Sequence, residues 1–467
     1  MDKNKIKICY IGGGSRNWAW VLMQDLAFER TINGIIELYD LKFDDAKTNE
    51  IIGNKLMDKH NPGQWKFRAN PSLQDALNGS DFILISILPG DFEEMASDVH
   101  TPEKYGIYQS VGDTAGAGGI IRALRTIPQF RKIAREIQNH APGAWVINYT
   151  NPMSICTRIL YKEFPQIKAF GCCHEVFHTQ KLLANVLEDS GLAEADSVKR
   201  EEIKVNVLGI NHFTWIDKAV YKDIDIFPHY KNFVNKYADT GYKKKSANQN
   251  ACFNEDEIYR NKLFGSSDRV KMDLYSRYGL IAAAGDRHLA EFCPPVWYLS
   301  SPGTVESWKF ALTPVSWRIK DRENLKLKAI EYSGGKKEMT PVKSDEEGIK
   351  IIKALLGFGD ITTNVNFPNR GQMPDLPVGA VVETNALFSN NSIDPVLTNG
   401  LPVDIRDLVM HHVLAQEGII DAVFDDDMEK AFRVFSHDFA VQRLLLHDAR
   451  SLFDEMCKAT LKTRDTV

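Results

Sequence analysis

Over its first 200 residues the chain alternates short apolar runs with helical patterns, and no other feature limits its fold as tightly. The runs Ile6–Ile11, Ile35–Tyr39, Phe82–Leu88, Trp145–Tyr149 and Lys168–Gly171 are rich in β-branched or aromatic residues and read as buried strands. Between them, Trp18–Arg30, Phe43–Lys59, Gly119–Asn139 and Pro152–Phe164 read as helices, with Pro152 after Asn151 as a start signal. Strands that alternate with helices are joined by crossovers, which predicts an α/β, Rossmann-like, doubly wound parallel sheet. Beyond residue 200 the rhythm changes. Glu202–Tyr221 predicts a long antiparallel pair around "GINH", and the polar stretches 241–257 and 333–347 read as surface insertions. From Pro402 onward the chain is mostly helical, with Leu408, His412, Ile419, Val423 and Phe432 marking one face.

Composition narrows the class. The 467 residues can bury a large core, and 43% apolar with 25% charged residues is the balance of an ordinary globular protein. A net charge of -5 argues against a nucleic-acid surface or a membrane-docking face. "MDKNKIKI" has no apolar signal core, and the seven cysteines are odd in number and scattered. Both features predict a cytoplasmic protein in which cysteine is a buried hydrophobe or a ligand.

The first strand runs into "IGGGS", followed by a helix, which is the context a dinucleotide fingerprint requires. Glycines let the backbone approach a pyrophosphate, and the helix N-terminus beyond supplies amide donors. Gly12, Gly13, Gly14 and Ser15 are the candidate residues, although Asn17 stands where a third fingerprint glycine is usual. Asp40, ending "ELYD" 28 residues past Gly12, is the expected acceptor for the adenosine ribose hydroxyl and favours NAD. A tight turn without nucleotide is the alternative. The division this predicts is 1–200 for nucleotide binding and 201–467 as an α+β unit for substrate, metal and oligomerisation.

The stretch "GCCHEVFHTQ" places two cysteines, two histidines and a glutamate at a strand end, where ligands sit in open α/β sheets. Cys173 and His174 end one strand, Asn151 ends its neighbour, and His212 of "GINHF" can join them from the second half. A thiolate, an imidazole and oxygen ligands suit a borderline divalent ion. The spacing from Cys173 to His212 matches no dedicated metal motif, so core filling stays open for both residues.

With those residues assembled, the sequence closely resembles glycoside hydrolase family 4, the NAD- and manganese-dependent glycosidases. The resemblance runs through "KICYIGGGS", "YDL", "GDTAGAGGIIRALRTIP", "NYTNPMSICT", "CHEV", "LGINHFTWI", "AGDRHLAEF" and "NVNFPNRGQMPDLPVGAVVE". "CHEV" resembles the subgroup acting on α-galacturonides, whereas α-glucosidases and α-galactosidases carry serine in place of Glu175. The resemblance implies NAD and Mn²⁺ or another divalent metal as cofactors, a sugar or uronide substrate, a homodimer or homotetramer, and a C-terminal region like that of lactate and malate dehydrogenases. It also implies hydrolysis by redox elimination: hydride leaves C3, a proton leaves C2, and the C1 substituent departs.

Carried across by motif, Cys173 and His212 become metal ligands, and Asp113 and Asn151 contact substrate hydroxyls. His174 becomes the leaving-group acid, with Glu175 sharing or orienting that role, and Asp286 the C2 base. Asp113 can instead cap the following helix, Asp286 can pair with Arg287 or His288, and Tyr275 or Tyr278 competes for the base role. A uronate carboxylate needs a cation, for which Arg287, Arg122 and Arg370 are candidates that the sequence does not choose among. The rival function is an NAD-dependent hydroxy-acid dehydrogenase that needs no metal.

Overall fold

The computed structural model describes residues 4–243 and 263–460, so residues 244–257 of the expected insertion at 241–257 lie outside the described residues. Six parallel strands form in the first half: β1 (Lys5–Ile11), β2 (Asn33–Tyr39), β3 (Trp65–Ala69), β4 (Phe82–Ile85), β5 (Trp145–Asn148) and β6 (Lys168–Gly171). Their order is β3-β2-β1-β4-β5-β6, the doubly wound order whose direction reverses beside β1. β1 is buried on both faces, as a central parallel strand must be. β3 escapes a search for apolar runs because it alternates: Trp65 and Phe67 are buried while Lys66 and Arg68 face solvent on the sheet edge.

The remaining strands differ in kind. β7 (Ile203–Ile210) and β8 (Phe213–Tyr221) form the expected antiparallel pair, joined by β9 (Ile224–Asp225) and β10 (Ile281–Ala282) in a second sheet. β11 (Ile361–Pro368), β12 (Val381–Ser389) and β13 (Ser392–Pro395) return to the first sheet and extend it antiparallel beyond β6. That junction is a single pairing, Asn366 against Gly171, where an added Cβ would sit 3.0 Å from the Asn366 Cβ. The nucleotide-type sheet is therefore completed by residues far downstream, which apolar runs in the first 200 residues do not reveal.

Several expected boundaries move. The first helix ends at Leu26 rather than Arg30. The long helix starts at Gly116, not Gly119, and Pro152 caps its helix from outside, with Met153 as the first helical residue. The marked face of the C-terminal helices turns inward: Ile419, Phe432 and Phe435 join Leu124, Ile127 and Phe130 in one core beneath the sheet. None of the described helices is long and apolar enough to cross a membrane.

The stretch 333–347 is more than a surface insertion. Ser344 bonds Asp25 through N–H (2.8 Å) and hydroxyl (2.6 Å), Glu347 takes Arg200 at 3.0 Å, and Asp345 pairs with Lys181. Anchored on both sides, this segment delivers Glu346 to the end of β6, as described below.

Candidate active site

The glycine turn leaves β1 at the switch point of the sheet. Gly12 has φ +95°, and a Cβ there would lie 2.0 Å from the Ser86 carbonyl oxygen, so no other residue fits without moving the end of β4. The Gly12 and Gly13 N–H groups both donate to the Tyr39 carbonyl, and Gly14 N–H donates to Asp40 Oδ2 at 2.9 Å. Asp40 thus lies against the turn, its other oxygen accepting from Lys42 N–H. Burial raises the Asp40 carboxyl above its ordinary range, with those two N–H bonds acting against it. Asn49, fully buried on the second helix, was not foreseen; its amide donates to the carbonyls of Gly13 and Ser15 and fixes the turn.

A second group of side chains gathers at the ends of β5, β6 and the β7–β8 turn. His212 occupies that turn with φ +64°, a conformation costly for a non-glycine residue, and it turns a buried imidazole inward. Its ring centroid is 3.8 Å from that of His288, and its Nδ1 is 3.3 Å from Thr114 Oγ1. Ligand atoms of Asp113, His212 and His288 all lie within 4.8 Å of one another. Asp113 also accepts from Asn151 Nδ2 at 3.4 Å, bringing both expected hydroxyl-binding residues to one place.

Electrostatics suit a cation. Burial alone would raise the Asp113 carboxyl, but Arg122 foremost, with the hydrogen bond from Thr114, holds it well below the usual carboxylate range. Burial, then the neighbouring His288, pushes the His212 imidazole down to about 3, so it is neutral with a lone pair to offer. His288 Nδ1 and Asn151 Oδ1 are buried without a hydrogen-bond partner, and such orphaned atoms need an occupant. Two neutral imidazoles and an ionised carboxylate are a fitting donor set for a divalent transition metal.

Cys173 lies outside this trio. It is buried at the β6 terminus, with the Asn211 side chain on its thiol and Asn364 Nδ2 donating to its carbonyl at 3.1 Å. Burial, reinforced by Glu383 and Glu175, pushes the thiol well above its ordinary value, so a cation would have to displace its proton. Glu175 ties the two regions together. Its Oε2 accepts from Gly285 N–H at 2.8 Å and its Oε1 is 3.8 Å from His288 Nε2. His174 stacks near Trp18, with centroids 5.8 Å apart, and its Nδ1 faces Glu346 Oε1 at 3.1 Å.

The other expected residues make contacts of their own. Asp286 pairs with neither Arg287 nor His288; its Oδ1 accepts from Lys271 N–H at 3.1 Å. Burial, then Asp268, pushes its carboxyl up to about 7. Tyr275 packs on Tyr230 and Tyr278 on Trp215. Arg370 lies over the Phe367 ring. Arg287 donates to the Ser110 carbonyl at 2.5 Å and to Thr313 Oγ1, with its Nε buried and unpaired. Arg122 is buried with Nε and Nη1 unpaired and supports Asp113.

Sequence reading passed over His288, Glu291, Glu346 and Asn211. His288 lies inside "AGDRHLAEF", where the neighbouring Asp286 and Arg287 carry the more obvious chemistry. Glu291 is three residues further along the same helix, and its Oε1 accepts from Val111 and Gly112 N–H (2.6 and 2.9 Å), holding the loop that carries Asp113.

A doubly wound sheet with a dinucleotide-type turn and a histidine–carboxylate cluster at the same strand ends defines an α/β protein built around a nucleotide fold and a candidate metal centre. The sequence profile for family 4 glycosyl hydrolases matches residues 7–189, and that of their C-terminal domain matches 207–441. An alpha-galacturonidase of Thermoanaerobacterium saccharolyticum is 55% identical over 98% of this chain and 97% of its own. The crystal structure of Bacillus subtilis lplD superimposes with TM-score 0.90 at 47% identity, over 97% of this chain and 99% of that one. A 6-phospho-alpha-glucosidase from gut microorganisms, crystallised with NAD and Mn²⁺, shares the fold at TM-score 0.80 and 19% identity, over 98% of each chain. The chain belongs to glycosyl hydrolase family 4 and is a glycosidase.

Proposed function

We propose that this protein is an α-galacturonidase that uses NAD and a divalent metal, manganese foremost, to hydrolyse its substrate by redox elimination. The observation that carries the substrate is the 55% identity, over nearly the whole of both chains, with a protein named for that activity. NAD, when bound, supplies the hydride acceptor at C3; the metal, when bound, supplies the charge that stabilises an oxyanion beside the departing C2 proton.

The chain's own groups do the rest. Gly12–Ser15 leave room for a pyrophosphate, and Asp40 offers the carboxylate beside it. His212 and Cys173 would hold the metal, with His288 and Asp113 beside His212 as further candidates. Asn151, 3.4 Å from Asp113, contacts a substrate hydroxyl. His174 protonates the leaving oxygen while Glu175, fixed on Gly285 N–H, orients it. Asp286 remains the proposed C2 base; a carboxyl pushed up to about 7 suits proton transfer near neutrality. Arg287 has an unpaired Nε and receives the uronate carboxylate. Residues 1–200 serve the nucleotide and 201–467 the substrate, metal and self-association into a homodimer or homotetramer, in the cytoplasm.

The test is 4-nitrophenyl α-galacturonide with NAD⁺, Mn²⁺ and thiol. Nitrophenol should appear without net accumulation of NADH, and Cys173→Ser should abolish it while leaving NAD affinity intact. No nitrophenol, together with NAD⁺ reduction by a hydroxy acid, would establish the dehydrogenase instead.

A further inference from the structure

Residues 174–178 read His-Glu-Val-Phe-His, two imidazoles one helical turn apart with a carboxylate between them. His174 is the N-cap and His178 lies in the first turn of the helix that begins at Glu175, and histidines four residues apart chelate metals in unrelated proteins. Here ligand atoms of His174, Glu175 and His178 lie within 4.8 Å of one another, and the two imidazole centroids are 5.1 Å apart. Neither His174 nor His178 belongs to the Asp113–His212–His288 group.

Three further observations point to an occupant. One Glu175 oxygen accepts from Gly285 N–H, while Oε1 has His288 Nε2 3.8 Å away, beyond hydrogen-bond distance. His174 Nδ1 is buried and lacks a well-aligned hydrogen bond, although Glu346 Oε1 stands 3.1 Å away. A carboxylate facing one nitrogen of an imidazole is the usual outer partner of a metal-bound histidine, because it steadies the ring and turns the other nitrogen outward. His178 is exposed, so the group opens to solvent.

The opposing term is the helix dipole. The helix starts at Glu175, and its N-terminus carries about half a positive charge. Lys181 and Lys271 add positive charge to it, set against the carboxylates of Glu175 and Glu346.

We propose that His174, Glu175 and His178 form a second divalent-cation site, of zinc type, whose occupation inhibits the enzyme. Paired imidazoles favour zinc over manganese, which stands lowest in the affinity series. An imidazole whose lone pair is held by zinc cannot deliver a proton, so loading this site silences His174. The binding half of the proposal is independent of the reading of His174 as the acid; the inhibitory half rests on it.

The experiment counts zinc on the untagged full chain by equilibrium dialysis, then titrates Zn²⁺ into enzyme saturated with Mn²⁺. Wild type should bind two zinc ions per chain and His178→Ala one. His212→Ala should also bind one, retaining the second site. With basal turnover unchanged, His178→Ala should need at least about tenfold more zinc for half inhibition, the loss of about 1.4 kcal/mol of binding. Equal zinc content in wild type and His178→Ala would overturn the site. One ion fewer with inhibition unchanged would overturn the inhibitory role, and would count against His174 as acid without touching the glycosidase assay.

Discussion

The buried pair Arg125–Asp98 offers a stringent check on how the site is supported. Both side chains are at most 1% exposed. Arg125 Nη1 donates to Asp98 Oδ1 at 2.9 Å, Nη2 binds the other oxygen, and Nε donates to the Pro89 carbonyl at 2.9 Å. Gln109 donates to the Asp98 carbonyl at 2.6 Å and accepts from Gly118 N–H at 2.8 Å, so the pair clamps the loop that presents Asp113. Arg125→Met would leave an unpaired buried carboxylate at a cost of about 3–5 kcal/mol. Replacing both partners, Asp98→Leu with Arg125→Met, should cost only about 1 kcal/mol, chiefly the orphaned Pro89 carbonyl. For a chain this long, unfolding entropy of about 2 cal/mol/K per residue makes 1 kcal/mol worth only about 1 °C in Tm, so urea unfolding is the better assay. The sign with pH is fixed as well. Burial raises the Asp98 pKa even with Arg125 present, so its protonated form favours the fold and stability declines as pH rises through the native value. Removing Arg125 raises it further; the deficit of the single variant should therefore be largest at neutral pH and shrink toward about pH 4. A deficit independent of pH, or a double variant as unstable as the single, would refute the reasoning.

Gly12→Ala sets a Cβ 2.0 Å from the Ser86 oxygen at φ +95°, and NAD affinity measured by fluorescence titration should fall at least about tenfold. Arg287→Met should lower the preference for α-galacturonide over the neutral α-galactoside by about 10–100-fold in kcat/KM, the worth of a charge-assisted hydrogen bond of about 1.5–3 kcal/mol. Burial pushes the Asp438 carboxyl up to about 6, with the N–H groups of Ala440, Val441 and Phe439 opposing. Its penalty therefore grows from about pH 4 to about pH 6 and stays constant above, reaching at most about 3 kcal/mol. Asp438→Asn should flatten that slope in urea titrations and gain stability at pH 7.

What could be read from sequence follows the range of the interaction involved. Burial on both faces makes a strand continuously apolar, so β1, β4 and β6 announce themselves, and the glycines of the turn are demanded by a local φ and a local clash. The alternating edge strand β3 pairs with residues 31 positions earlier, and the return of β11–β13 to the same sheet joins residues 195 positions apart, which no local pattern records. The candidate site divides in the same way. Cys173, His174 and Glu175 stand together in the chain and were visible as a cluster. Their partners His288, Glu346 and Asn364 come from three separate segments, one of them a polar stretch that composition alone assigns to the surface.

Glu175 shows why the long-range partners matter. Burial would raise its carboxyl, whereas the surrounding imidazoles, His288 first, lower it wherever they carry a proton. It is thus a fixed negative charge between two groups of histidines, pinned by the Gly285 N–H on a segment 110 residues away. A serine at this position reaches neither Gly285 nor His288 and carries no charge to balance a metal. Glu175 therefore faces both histidine groups at once. Replacing it by glutamine keeps the acceptor for Gly285 and removes only the charge. If that variant kept both zinc ions and full turnover, shape and not charge would be what the position supplies.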